Sequence, residues 1–525
     1  MHPKIRKATL ALCALFLTQT SAEAQETEWS NIRYDIQSEV VASVGEHAPF
    51  WLTNNRHGLS SLENNNANLS VGLFRDFEQQ RGWTWAYGAE VAGAWHYASP
   101  LYLQQLYADL RYNCWELSIG SKERWSEGKN SRLSGGGLTF APNARPIPQV
   151  RIGIHEYTTV PRWFGGWVKV KGHFSYGRFV DDRFMQQWLG NGLSFTQDAL
   201  FHEKTGFIRI ANPRNERLSL EMGLEMYTQF GGGIYRKEAE GNYVLTTPLP
   251  STFIEYVKAF IPMAGGDDAP RGDQVNINGN QVGSWHLAAN YNTDDIKVRG
   301  YYEHYFEDHS QMLGISWVAD RDGNKRFLHY HPWTDGLYGL ELTFPKGRWV
   351  RSVVAEYITS LDQSGPILHD ANSTHKEQIS GGDSYYNHYL FQSWQHGGMG
   401  IANPHFLAPL YNDDHSKAMP YQRLRSYHLG IDGNPYPAWQ YRVLASYTRC
   451  WGSYSRPLPH PMGTTTALLE ATYTPQRHQG WQVTGAVAMD HSELIGNNYG
   501  GMVTLRWFAP LAKVNRQQTT VDRRP

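Results

Sequence analysis

Between Leu361 and Arg423 lies a stretch dense in rings and amides: Tyr385, Tyr386, Asn387, His388, Tyr389, Phe391, Trp394, Gln395 and His396. Side chains of these types suit one chemistry. Ring faces stack on sugar faces, and amide groups bond the hydroxyls around them. Arg162 and Trp163, beside Phe164, form a smaller set of the same kind. A guanidinium there would favour an acidic glycan. The same rings could instead fold inward and pack on one another as a constriction. The two readings stand side by side, with inward packing ahead of direct glycan contact.

Other chemistries find less support. The chain has 22 His, and His329 with His331 makes a plausible pair. No Cys/His spacing matches a closed zinc site, so rim or structural histidines are expected. Asp267-Asp268 and Asp413-Asp414 lie outside any Ca²⁺ loop pattern and read as solvated turns. No metal and no other cofactor is expected. No Gly-x-Ser-x-Gly elbow, P-loop or dinucleotide fingerprint is present, so the chain is expected not to be an enzyme. With 48 Lys+Arg against 49 Asp+Glu, it lacks the basic footprint of a nucleic-acid binder.

What would position the rings is read first from the N-terminus. Lys4, Arg6 and Lys7 precede the apolar run Ala8–Leu17, and Ala22-Glu23-Ala24 is a small-x-small site. This is the layout of a secretory signal peptide, with cleavage expected before Gln25. Cys114 and Cys450 remain after processing, and whether they pair is open. No later run is apolar enough for a membrane helix.

Period two dominates the rest. Trp83, Trp85, Tyr87, Ala89, Val91, Gly93, Trp95 and Tyr97 share one face of a strand, and Thr84, Ala86, Gly88, Glu90, Ala92, Ala94 and His96 the other. The first face is apolar in the middle and aromatic at both ends. Trp85 to Trp95 spans about 33 Å of strand. Tilted, that covers the height of about 25 Å expected of an outer-membrane apolar band. Trp439–Thr448, Trp481–Asp490 and Tyr499–Phe508 repeat the design. Ile296–Phe306 places Lys297, Arg299 and Glu303 on its lumen side. Aromatic residues make up 14% of the chain, as two interfacial girdles would require. Strands are read along most of the chain, including Val150–His155, Gly165–Tyr176, Met312–Val318 and Trp349–Ser360. They total about 16–18, an all-β transmembrane antiparallel barrel in a single domain.

Barrels keep short turns on the periplasmic side. If the last strand ends there, Pro475–Gln479, Asn434–Pro437 and Pro345–Gly347 are periplasmic. His491–Asn498, Gly452–Gly463, Asp320–Asp335 and Leu361–Arg423 are then outer connections. Counted further back, Arg162–Phe164 falls outside. Asp181–His202 and Gly232–Gln281 fall on the periplasmic side. The latter two carry helix signals at Arg183–Leu189 and at Phe253, Tyr256, Val257 and Phe260, which Ser251 or Thr252 could cap. Small helical inserts plugging the periplasmic side are therefore expected, with helices resting on the rim as the alternative.

Several stretches carry a resemblance: His47-Ala48-Pro49-Phe50-Trp51-Leu52, Asn55-Arg56-His57-Gly58, Asn143-Ala144-Arg145-Pro146-Ile147-Pro148-Gln149, Phe201-His202-Glu203-Lys204, Glu221-Met222-Gly223-Leu224-Glu225, Gln229-Phe230-Gly231-Gly232 and Tyr385-Tyr386-Asn387-His388. In this order they resemble the capsule-assembly Wzi family in its Bacteroides-type form. The resemblance implies a Gram-negative outer-membrane barrel of about 18 strands closed by a helical plug. It also implies a lectin-like protein that retains capsular polysaccharide on the cell surface. The expected layout is a signal peptide over 1–24, a barrel with plug over 25–508 and a tail over 509–525. Expected partners are capsular or surface polysaccharide and outer-membrane lipid, with no nucleic acid, for a monomer in the outer membrane. The alternative is an outer-membrane porin or transporter channel. The tail is a departure, since barrel chains often stop at a terminal aromatic.

Overall fold

The computed structural model describes residues 28–514, apart from 30–31, 79–81, 161–163, 239–240, 262–278, 308–311, 313–314, 320–324, 330–332, 366–383, 392, 478–479 and 511–512. The expected signal peptide over 1–24 lies outside the described residues, as do Arg162, Trp163, His331 and Asp267-Asp268.

Eighteen strands close into one antiparallel barrel. They are β1 (Ile32–Val44), β2 (Asn65–Arg75), β3 (Trp83–Trp95), β4 (Leu101–Tyr112), β5 (Trp115–Ser121), β6 (Gln149–Thr159), β7 (Val168–Arg178), β8 (Leu200–Asn212) and β9 (Asn215–Phe230). The second half is β10 (Asn280–Asn292), β11 (Lys297–Glu307), β12 (Gly336–Thr343), β13 (Ser352–Thr359), β14 (Leu424–Tyr436), β15 (Trp439–Gly452), β16 (Pro457–Tyr473), β17 (Trp481–Ser492) and β18 (Asn498–Pro510). Each strand pairs with its sequence neighbour, and β18 closes on β1 with Val40 opposite Val503. Closure leaves no unpaired edge, which is what allows strands to cross a bilayer.

The two faces follow the alternation. Trp83, Trp85, Val91 and Trp95 are 67%, 52%, 47% and 52% exposed on the outside, while Thr84, Ala86 and Ala92 are buried inside. Aromatic pairs ring the end that carries both termini: Trp83 with Tyr112 at 4.7 Å, Trp439 with Tyr473 at 4.9 Å and Trp481 with Trp507 at 5.8 Å. Towards the other end Tyr302, Tyr338, Tyr357, Tyr427 and Tyr447 stand opposite one another on five consecutive strands. Two girdles about an apolar wall are the signature of an outer-membrane barrel. Val91→Arg, in the middle of β3, is expected to cost about 2–4 kcal/mol of folding stability in lipid. Urea titration of the protein in vesicles measures it, and an equally stable variant would remove β3 from the lipid belt.

The connections on the terminus side include 113–114, 213–214, 293–296 and 437–438. The opposite end carries 45–64, 122–148, 179–199, 231–279, 308–335 and 360–423. Short turns mark the periplasmic end and long loops the outer end. The expected sides of Leu361–Arg423, Gly452–Gly463 and Asn434–Pro437 hold.

The upstream sides do not. Ile315–Ala319 pairs only with Lys325–His329, as a hairpin outside the barrel. With that segment outside the wall, every connection before it lies on the side opposite to the one expected. Phe164 therefore sits on the periplasmic side, and both helical inserts sit on the outer side. The helices α2 (Asp182–Trp188) and α3 (Phe253–Phe260) do form at the expected residues, but neither plugs the periplasmic mouth. α2 packs Met185 and Leu189 against Phe195 and Tyr235 of a three-stranded sheet made by Ser194–Gln197, Gly233–Lys237 and Tyr243–Pro248. Thr252 occupies the cap position of α3 without a side-chain cap bond. β18 runs two residues beyond the expected end at 508, and Lys513–Val514 pairs with Glu28–Trp29.

Candidate functional site

The lumen is filled from the outer end by three irregular segments, 45–64, 122–148 and 384–423. Such segments leave many backbone N–H groups without a ladder, and buried ones need acceptors. Carboxylates on the barrel wall supply them. Glu303 of β11 accepts from the backbone N of Leu138 at 2.7 Å and of Thr139 at 3.3 Å. Its other oxygen lies 2.9 Å from Lys129 Nζ. Glu356 of β13 accepts from Ser134 Oγ at 2.5 Å, Gly135 N at 2.8 Å and Tyr301 Oη at 2.7 Å. Glu307 accepts from Tyr386 N, and from Tyr305 Oη at 2.9 Å. Asp490 of β17 accepts from Phe50 N at 2.9 Å, at the start of the buried turn α1 (Phe50–Thr53). Asp335 holds the mouth of the long loop through the backbone N of Leu361, Asp362 and Gln363, at 3.1, 2.9 and 2.6 Å. Charge-assisted bonds of this kind are the stronger class.

The three segments also bond to each other. His57 N donates to Pro142 O at 2.8 Å, Asn55 N to Asn143 Oδ1 at 3.1 Å, and Asn143 Nδ2 to Gly400 O at 3.1 Å. Gly58 sits at φ +66°, and a Cβ there would lie 2.5 Å from the backbone N of Arg145. The quoted stretches 47–52, 55–58, 143–149 and 385–388 thus meet in one plug.

Most of the expected sugar-stacking residues form its interior. Trp394 and Tyr386 are fully buried, and Tyr385 and His396 nearly so. Trp394 Nε1 donates to Thr139 O at 2.7 Å, with its ring 5.7 Å from that of Tyr227. Tyr386 holds a left-handed φ of 66°, rare for a bulky side chain. Glu307 at its N–H and Leu138 O, 2.8 Å from its hydroxyl, fix it there. Asn387 ties the loop together: its Nδ2 donates to Met419 O at 3.0 Å, and its Oδ1 accepts from Met419 N at 2.8 Å. His396 Nδ1 lies 2.9 Å from Arg145 O. The ring of His388 lies 4.7 Å from that of Tyr389 and 5.3 Å from that of Phe391, tilted against both, and burial, with the charge of Lys417 added, pushes its pKa down to about 3. It stays neutral at neutral pH. Tyr389 is the exception in this set, at 62% exposure. The loop has taken the inward-packing course.

Beneath the plug, on the periplasmic side, lies a cavity of about 490 Å³ lined by Arg33, Asp35, Glu39, Arg56, Arg442 and Arg506 among others. Several of its cations are held in ion pairs: Arg506 with Asp35, Arg442 with Glu470 at 2.8 Å, and Arg56 with Glu39 at 3.5 Å. A smaller cavity of about 250 Å³ borders Lys122, Arg124, Glu127, Arg151, Lys171 and His173. There His173 Nε2 lies 2.6 Å from Glu203 Oε1, and Lys122 Nζ 2.5 Å from Asp109. Sequence reasoning put Glu303 on the lumen side but assigned none of these carboxylates a role. Their signal was position: acidic residues at inward places, as Glu356 is beside Val354 and Ile358 on β13 and Asp490 beside Ala486 and Ala488 on β17.

Among the described residues no three His, Cys, Asp or Glu side chains stand together as a metal site. Asp413 and Asp414 lie in an exposed turn. Cys114 and Cys450 are both free thiols.

No family model matches the chain, and no curated protein matches it. Among solved structures it is similar to Pseudomonas aeruginosa OccK5 (OpdH), at 9% identity and a TM-score of 0.43, over 92% of this chain and 98% of that one. P. aeruginosa OpdQ gives 9% and 0.44 over 92% and 99%. Acinetobacter baumannii OccAB4 gives 8% and 0.42 over 92% and 99%.

Proposed function

We propose that the protein is a closed outer-membrane barrel that binds surface polysaccharide and retains it at the cell surface, without catalysis. The observation that carries this reading is the plug. A lumen whose outer half is a packed core held by Glu303, Glu307, Glu356 and Asp490 is built to stay shut, and all its long connections gather on the outer side. The order of the quoted stretches, which resembles that of the capsule-assembly Wzi family, supplies the polysaccharide. In this reading Tyr385, Tyr386, Asn387, Trp394 and His396 shape the loop, and Tyr389 presents its ring outward for stacking. The test compares cell-associated with shed polysaccharide in cells with and without the gene. Loss of the gene is expected to move polysaccharide into the medium, and unchanged retention would contradict the role.

A channel is the second reading. The charged cavity on the periplasmic side favours it, since a polar lumen lined by both signs is what a solute path needs. Under that reading uptake of a small solute falls when the gene is deleted while polysaccharide retention does not.

A further inference from the structure

α3 lies on the outer wall of the barrel, at the outer ends of β7, β8 and β9. Phe260 packs on Phe174 at 5.7 Å, and Tyr256 packs on Tyr176 at 5.3 Å and on Phe230 at 5.2 Å. Tyr176 Oη donates to Tyr256 O at 2.8 Å. Lys204 donates to the carbonyls that end the helix, Ala259 O at 3.2 Å and Phe260 O. The helix covers His202 and Phe230 through Phe260 and Tyr256, and both point away from the lumen by the strand alternation.

Its polarity is inverted for a helix in water. Glu255 is 1% exposed and pairs with Lys258 at 2.9 Å, both close to the barrel. Phe253, Ile254, Phe260 and Ile261 are 83%, 52%, 42% and 54% exposed. A surface helix in water turns its charges out and its apolar stripe in. Here the apolar side faces away from the protein.

That side continues the lipid belt. On β8 the outward residues after Lys204 are Gly206, Ile208 and Ile210, and on β9 Met222 and Leu220 lie beside them. Ile208, Ile210, Leu220 and Met222 edge an apolar concavity of about 1390 Å³ on the outer wall that reaches to Tyr447 of β15. Ala289, Gly300, Ala355 and Ala445 are among its lining, so small side chains hollow the wall where neighbouring strands carry Leu or Tyr.

We propose that α3 is an interfacial helix seated among the acyl chains of the outer-leaflet lipid, with Phe253, Ile254, Phe260 and Ile261 as its lipid side. Amphipathic helices bury such a face in the boundary between headgroups and chains. The helix thereby lies in the membrane plane, at one side of the barrel mouth.

The test places a nitroxide at Ile254→Cys in full-length protein carrying Cys13→Ser, Cys114→Ser and Cys450→Ser, reconstituted in palmitoyl-oleoyl-phosphatidylcholine vesicles. Collision with oxygen and with a water-soluble nickel chelate is compared with Leu220→Cys on the belt and Lys346→Cys in water. The ratio of oxygen to nickel accessibility at 254 is expected to match Leu220 and to exceed Lys346 several-fold. A ratio equal to that of Lys346 overturns the proposal. In protein with its native cysteines, a benzophenone amino acid in place of Phe253 gives an independent reading. Illumination is expected to yield a lipid adduct, as the same group at Leu220 does. No adduct at 253 where 220 gives one, or an adduct with protein, also overturns it.

Discussion

Glu303→Ala is expected to loosen the plug by about 3–5 kcal/mol, the cost of removing one partner from a buried ion pair. Lys129 is 4% exposed beside a Glu303 side chain with no exposure, so its ammonium would remain buried without that carboxylate. The amides of Leu138 and Thr139 lose their acceptor in the same step, and orphaned buried donors add their own desolvation penalty. Amide exchange at Leu138 and Thr139 should therefore accelerate strongly, while exchange in β1–β3, across the barrel, stays as it was. Glu303→Gln keeps an acceptor for the amides and lies between. Unchanged exchange in Glu303→Ala would mean that packing alone holds the segment.

Trp394→Ala attacks the seal from the other side. A fully buried tryptophan replaced by alanine costs about 3–5 kcal/mol, through lost transfer energy and the cavity left behind. Here it also leaves Thr139 O without its indole donor, and opens space between Phe201 and Tyr227, 6.4 and 5.7 Å away by ring centre. The variant is expected to unfold its plug at lower denaturant and to show brief current bursts in planar bilayers. Tyr389→Ala, five positions away and at a ring that is 62% exposed, should change plug stability by about 0.5 kcal/mol or less. Equal effects from the two would contradict the interior placement of Trp394.

The contrast between these two residues shows where sequence reasoning stops. Period two exposed the barrel because membrane strands must alternate: Trp85, Val91 and Trp95 face lipid, and Thr84 and Ala92 face the lumen. Turn lengths exposed its polarity for the same reason. Alternation does not say which strand a segment pairs with. Met312–Val318 reads like a wall strand, yet Ile315–Ala319 pairs with Lys325–His329 in a separate hairpin, and so Phe164 and both helical inserts lie on the sides opposite to those expected. The helices themselves were legible, α3 from its apolar spacing. Their location was not, because an apolar stripe says that a partner exists and not which one. The plug was the least legible part. Its segments are rich in Gly, Pro and Asn and have no period, and their bonds link residues hundreds of positions apart, as Trp394 and Thr139 are. The rings at 385–396 stand out in the sequence by their density. Whether they faced outward or inward depended on Glu307, Leu138 and Thr139, which no local pattern connects to them.

The central claim is that the plug shuts the barrel, and single-protein conductance in a planar bilayer tests it most directly. The intact protein is expected to insert without a steady open current, and deletion of 384–419 to produce one. A large, stable conductance from the intact protein would contradict the closed barrel and favour the channel.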